Sequence, residues 1–280
     1  MKRDDAGVAL INVLVLLAVT SGLVVLLLNQ QERGQDAVAR SAALAQAEQI
    51  ALGAEASVLS ALRADLDSAP EADHFAEPWA SVIQEEVLLP DGRFSLAVRD
   101  LQAKFDINVL AAGGVGPQTL FLRLTTALEV PEADARRIVQ TLSFTGPVRK
   151  LADLERVGIP AETLAILEPH VGALPVPGTV NLNTAGPLLM AVLFQNPGIT
   201  AQLLRRRQSE GQLTRKTLTD YGALRPEMTG FGSHAWEAEI LAQSGPATLR
   251  LLTVIQRQDD LDGKAITVVS RQISHEPAPD

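Results

Sequence analysis

Between Val8 and Leu28 the chain carries no charged side chain, and only Asn12, Thr20, Ser21 and Gly22 interrupt its apolar positions. A helix needs roughly 20 such residues, at about 1.5 Å rise each, to cross the hydrocarbon core of a bilayer. A cleaved secretory signal has a shorter apolar core and small residues at the cut, whereas here Asn29-Gln30-Gln31-Glu32-Arg33 follows. The run therefore reads as a retained anchor, with Lys2 and Arg3 on the cytoplasmic side. From Gln35 to Leu66 the pattern turns amphipathic, with Val38, Leu44, Ile50, Val58, Leu62 and Leu66 set among Ala, Gln, Glu and Arg and no proline. The two stretches predict one helix from Val8 to about Leu66, near 90 Å long, with Gly34 and Gly53 as places for a bend.

Asp67-Ser68-Ala69-Pro70 and Glu77-Pro78-Trp79 break that helix. Glu85 to Leu89 and Arg93 to Asp100, joined by Pro90-Asp91-Gly92, read as a hairpin. Thr248 to Ile255 and Ala265 to Ser270, flanking the polar Gln258 to Gly263, read as a second. Between them the pattern predicts short helices: Leu120 to Leu128, Glu132 to Leu142, Val148 to Arg156, Ala161 to Leu167, Pro187 to Phe194, Thr200 to Gln208 and Trp236 to Ala242. The architecture expected is α+β. The long helix and two hairpins sharing one sheet form a first part (29–105) and a second part (242–280), with an all-helical insertion (106–241) between them. Phe105-Asp106-Ile107-Asn108 is echoed by Val180-Asn181-Leu182-Asn183, which divides the insertion at about 175 into subdomains 106–175 and 176–241. The Asx residues of both copies are expected to cap helices and close turns.

The net charge of −9 argues against nucleic acid as the main partner, and the absence of cysteine excludes disulfides, thiolate catalysis and cysteine-bound zinc. His74, His170, His234 and His275 are not spaced as metal ligands, and no nucleophile elbow, P-loop or HExxH occurs. The reading is of a protein without catalytic residues or a required cofactor. A competing function comes from Val157-Gly158-Ile159-Pro160 and Asn196-Pro197-Gly198-Ile199-Thr200, which look like helix-hairpin-helix turns; the second precedes Arg205-Arg206-Arg207. On that reading the chain is a membrane-anchored DNA receptor.

A short charged leader, a glycine directly before the apolar run and a helix that is first membrane-like and then amphipathic resemble the class III signal of type IV pilins and type II secretion pseudopilins. The resemblance implies a leader of residues 1–7, cleavage after Gly7 by a prepilin peptidase, methylation of Val8 and a membrane-spanning half at 8–28. Most of these proteins carry glutamate at the fifth mature position; here Asn12 stands there. Together with Asp100-Leu101-Gln102-Ala103-Lys104-Phe105-Asp106-Ile107-Asn108 and Val180-Asn181-Leu182-Asn183-Thr184-Ala185, these features resemble the K-type minor pseudopilins of the type II secretion system, the GspK family. The resemblance implies a pilin-like fold with a large helical insertion and a place at the tip of a short filament with I-type and J-type partners. It also implies a single-pass inner-membrane location in a Gram-negative bacterium, a periplasmic soluble domain, and encounters with the secretin and secreted proteins. Members of this family are reported to bind calcium. The oxygen-rich stretch that could hold it is Asp259, Asp260 and Asp262, where a hairpin turn explains the same residues equally well.

Overall fold

The computed structural model describes residues 3–68, 72–82, 84–260 and 263–276, and the side chains of 13–66, 72–82, 84–258 and 265–275. Helix α1 (Arg3–Ser68) is continuous through Gly34 and Gly53. Residues 13–42 are exposed along their whole length, and burial starts at Ala43. Beyond that point Ala47, Ile50, Ala51, Ala54, Val58 and Leu62 recur at three- and four-residue spacing and form the buried stripe. The alanines let the helix approach the sheet closely, and each fully buried large side chain such as Leu62 contributes about 1.5–3 kcal/mol.

After the short α2 (Pro78–Ser81), β1 (Gln84–Leu89) and β2 (Gly92–Asp100) form the first hairpin. Gly92 is required there, because a Cβ at this position would lie 2.2 Å from the carbonyl oxygen of Gln243.

The insertion begins with β3 (Phe105–Asp106), then α3 (Val115–Ala127), α4 (Glu132–Thr145), a 3₁₀ segment at Leu151–Val157, α5 (Ala161–Leu167) and β4 (Val171–Gly172). A second set follows: β5 (Val180–Asn181), α6 (Pro187–Phe194), α7 (Pro197–Glu210), α8 (Arg215–Asp220) and β6 (Thr229–Gly230). The two sets have the same plan. β3 pairs with β4, and β5 with β6, each in parallel. Glu129 and Gln195, at φ of 57° and 50°, turn the chain between α3 and α4 and between α6 and α7, with a proline two residues on in both cases. The amide of Ile159 bonds Leu154 and that of Ala223 bonds Leu218, each across a glycine of positive φ, Gly158 and Gly222.

One asparagine in each set closes the unit. Asn108 accepts from the amide of Val148 (2.9 Å) and donates to the carbonyls of Val148 and Leu174. Asn183 accepts from the amide of Leu213 (2.5 Å) and donates to the carbonyls of Leu213 and Phe231. A side-chain amide has the donor and acceptor these loop groups lack, so the echo seen in the sequence is a repeated clamp. The residue two before each clamp caps the turn, Asp106 receiving the amide of Asn108 and Asn181 that of Asn183. Each of the two turns that look like helix-hairpin-helix turns has its counterpart in the other unit. Asn196-Pro197 corresponds to the turn at Val130-Pro131, and Val157-Gly158 corresponds to Tyr221-Gly222, so the two turns singled out are not counterparts of each other.

The chain returns to the sheet with β7 (Ala235–Ser244), β8 (Ala247–Asp260) and β9 (Gly263–Glu276). The sheet order is β1-β2-β7-β8-β9, antiparallel throughout, so the two hairpins share one sheet with β7 between them. The helix expected at Trp236 to Ala242 is therefore β7, and the sheet resumes at Ala235 rather than at 242. Its Ala, Glu and Leu favour helix locally, but Trp236, Ala238, Ile240 and Ala242 alternate inward with Glu237 and Glu239 outward. Pairing on both edges decides the outcome. The Val148 to Arg156 helix is the 3₁₀ segment, and α8 was not foreseen. β8 and β9 also run into the polar stretch expected as a loop, pairing as far as Asp260 with Gly263.

Two apolar clusters result. One joins α1, Trp79, β2, β7, β8 and Ile266; the other joins the helices and short strands of the insertion.

Replacing Asn183 by Ala leaves the amide of Leu213 and the carbonyls of Leu213 and Phe231 without that partner. The expected cost is about 2–4 kcal/mol, with Asn183→Asp at least as costly at neutral pH, because its second carboxylate oxygen would face the carbonyls of Leu213 and Phe231 in a buried site. Thermal or urea unfolding of the three proteins checks the order, and an unchanged midpoint for Asn183→Ala would contradict it.

A candidate functional site at the joint of sheet and insertion

A group of polar bonds between the two parts lies near the end of α1 that is distant from the apolar run. Arg257 lies at the centre. It is the next inward-facing position on β8 after Leu249, Leu251, Thr253 and Ile255, so the strand pleat carries it into the interior. Only 3% of its side chain is exposed. Its guanidinium donates to Oδ1 of Asp73 at 2.8 Å, Oδ2 of Asp73 at 3.1 Å and Oδ2 of Asp65 at 3.1 Å, and stands 4.9 Å above the ring centre of Trp236. Burial without such partners would cost several kcal/mol; a bidentate carboxylate and an aromatic face replace the lost water.

Asp73 joins the segments. Besides Arg257, its carboxylate receives the amide of Ser233 (2.6 Å), its carbonyl receives the side chain of Asn181 (2.9 Å), and its amide donates to Phe231 (3.0 Å). Nearby Asp100, at the end of β2, is almost wholly buried and has four donors on it: the amide of Gln102, Nδ2 of Asn181, Oγ of Ser233 and Oγ1 of Thr184, at 2.8, 3.0, 2.6 and 2.5 Å. Gln102 in turn donates to the carbonyl of Thr179 and accepts from the amide of His234. The use of Asp in the first echo and Asn in the second follows from these neighbours. Asp106 accepts from the amides of Asn108, Leu174 and Gly178, while Asn181 needs an N–H for Asp73 and Asp100.

Burial raises the Asp100 carboxyl, against the four hydrogen bonds that favour its charged form. Burial, followed by the charges of Glu77 and Asp73, raises Asp65 to about 7, with Arg257 opposing and a hydrogen bond to Asp73 assisting. Burial likewise raises Glu77 and lowers His74. Glu77 accepts from the amide of His74 and from Nε1 of Trp79, both at 2.8 Å.

Asp65, Asp73 and Glu77 each bring a carboxylate oxygen within 4.8 Å of the others, the spacing of a cation site. Arg257 already bonds two of the three acids, and burial, which raises Asp65, disfavours a further full charge there. The cluster is thus an arginine-centred joint rather than a set of oxygens requiring calcium.

The residues singled out in the sequence fall elsewhere. Gly7, Val8 and Asn12 lie on the backbone of α1, but their side chains are outside the described residues. The side chains of Asp259 and Asp260, and Asp262 altogether, are also outside them. The Arg205-Arg206-Arg207 run is partly consumed within the chain: Arg207 donates to the carbonyls of Leu182 (2.9 Å) and Ala185 (2.7 Å), and Arg206 pairs with Glu210. Asp100 opens the stretch Asp100 to Asn108 that carries the resemblance, whereas the pairing of Arg257 with Asp65 and Asp73 lies beyond the local pattern. The legible signal for Arg257 is the pleat, which puts a charge at the next inward position after Leu249, Leu251, Thr253 and Ile255.

Because Asp65 binds its proton more tightly folded than unfolded, its contribution is complete below about pH 4 and is lost as pH rises through about 7. Asp65→Asn, which keeps an acceptor for Arg257, is expected to abolish that slope and to exceed the parent in stability above pH 7, by on the order of 1–2 kcal/mol. Urea unfolding from pH 4 to 8 measures it, and parallel profiles for the two proteins would refute the raised Asp65 carboxyl.

No family model matches the chain. The chain is 25% identical to "Type II secretion system protein K" of Pseudomonas aeruginosa, over 100% of its own length and 96% of the relative's. It is 27% identical to the protein of the same name from Aeromonas hydrophila, over 92% of this chain and 95% of that one. In fold it is similar to a chain in the crystal structure of the GspK-GspI-GspJ complex from enterotoxigenic Escherichia coli, with a TM-score of 0.63, 19% identity, and coverage of 88% of this chain and 100% of that one. The pilin-like α+β architecture is therefore that of a solved structure, and the chain is a full-length homologue of the proteins named Type II secretion system protein K, the family its sequence resembles.

Proposed function

We propose that this protein is the K-type minor pseudopilin that sits at the tip of a type II secretion pseudopilus, in complex with I-type and J-type subunits. On this reading its role is assembly rather than catalysis: it starts the filament and supports export of folded proteins from the periplasm through the secretin. One observation carries the reading. Through Asp73 and Arg257 the helical insertion is fastened to the end of α1 opposite the apolar run, which on this reading places it at the end of the subunit away from the membrane. A mass of domain size at that position obstructs a subunit above and leaves room only below. The similar solved chain was crystallised in a complex with GspI and GspJ, which supports the choice of partners.

α1 is long and apolar enough to cross a membrane once. The proposed location is the inner membrane, with the head in the periplasm. Residues 29–42, exposed and largely polar, would hold the head roughly 20 Å above the bilayer. The prepilin peptidase would cut after Gly7 and leave methylated Val8 at the amino terminus. Asn12 in place of a carboxylate avoids the cost of an unpaired charge in hydrocarbon, as suits a subunit with no neighbour above it. Calcium is carried by the same reading, with Asp259, Asp260 and Asp262 as the acidic stretch to titrate.

Intact mass and amino-terminal sequencing of the protein from membranes test the processing, and capture through a tag on the head tests the complex. The expected result is a chain beginning at methylated Val8 that retains I-type and J-type subunits through detergent extraction. A chain that keeps Met1, or one that retains neither subunit, overturns the reading.

A further inference from the structure

Resting on that reading, we propose that the free edge of β9 receives an extended, acidic strand from a partner subunit. β9 is 14 residues long, about 45 Å, and closes one side of the sheet. Among the described residues nothing pairs with its outer edge, so alternate residues direct N–H and C=O groups away from β8. The opposite edge is protected in the ways edges usually are. β1 is 6 residues long, departs from regular register between Gln84 and Val87, carries Glu85 and Glu86 and is followed by Pro90. β9 shares only the irregularity, a single shift of register at Val269, and is otherwise open: from Gly263 to His275 it contains no proline and no acidic residue.

Side chains define the occupant further. Val269 and Ile273 are 43% and 44% exposed, which an apolar neighbour would cover. Lys264 and Arg271 are the charged residues of this segment in a chain of net charge −9, and Arg271 keeps 46% of its side chain exposed even while it holds Glu55. A strand with carboxylates among apolar residues is complementary to that edge. β1 of a second copy has such a composition, but its 6 residues and its irregularity would leave more than half of the 14-residue edge open. A longer strand from a different subunit fits the length.

Hydrogen exchange on the full chain in detergent, alone and with the I-type and J-type pseudopilins of the same bacterium, tests the proposal. Amides of 263–276 are expected to exchange at least tenfold more slowly in the complex. Val269→Lys combined with Ile273→Lys should weaken capture of the partners about tenfold or more while the thermal midpoint of the isolated chain stays unchanged. A complex that forms with no slowing in β9 overturns this inference and leaves the tip reading intact. Absence of any complex overturns the tip reading itself. Slowing that arises on concentrating the chain alone assigns the edge to a second copy and overturns the proposal as stated.

Discussion

The orientation of the insertion on the sheet depends on one buried cation. Arg257 is reached from α1 by Asp65 and from the 72–82 segment by Asp73, and Asp73 is bonded in turn to Phe231, Ser233 and Asn181 of the insertion and its return to the sheet. Apolar surfaces hold neighbours together without fixing their angle, because the hydrophobic effect has no direction. Hydrogen bonds to a planar guanidinium do fix it. The joint therefore makes the position of the insertion specific as well as stable. Trp236, beneath the guanidinium, connects this polar centre to the core of sheet and helix, where Trp79 lies 6.5 Å from it.

The insertion obeys a different rule. Its two units each consist of short helices joined by turns, and such turns leave backbone groups without partners in the ladder of any helix or strand. Asn108 and Asn183 satisfy those groups with equivalent bonds, and a two-residue parallel pairing anchors the start of each unit to its end. A repeat of this kind needs few identical residues. Only the donors and acceptors at the clamps and the positive φ at the turns are demanding, which explains why the echo in sequence is confined to a few residues.

Helix α1 links membrane chemistry to the head. Residues 13–42 have no packing partner among the described residues, the part from Ala43 on is packed on the sheet, and a continuous helical backbone joins the two. Position and tilt of the head follow from the helix, so a subunit of this shape carries its insertion wherever α1 is placed in an assembly. The polar stretch at 29–42 separates the two environments without interrupting the helix.

The sequence by itself determined the long helix, both hairpins, the helical character of the middle and the echo at Asp106 and Asn181. These are local matters: a 3.6-residue or 2-residue alternation, a glycine or proline at a turn, an apolar run of bilayer length. It also carried the resemblance to the K-type proteins, because that rests on residues close together along the chain. Tertiary structure decided what depends on residues brought from far apart. Trp236 to Ala242 is a strand because β2 and β8 pair with it on either side, whatever its alanines and glutamates prefer. The clamps of Asn108 and Asn183 close on loops 40 and 30 residues away. Arg257 is 192 residues from Asp65 and 184 from Asp73, separations at which no periodicity survives, and only the folded chain brings these charges into one bonded group.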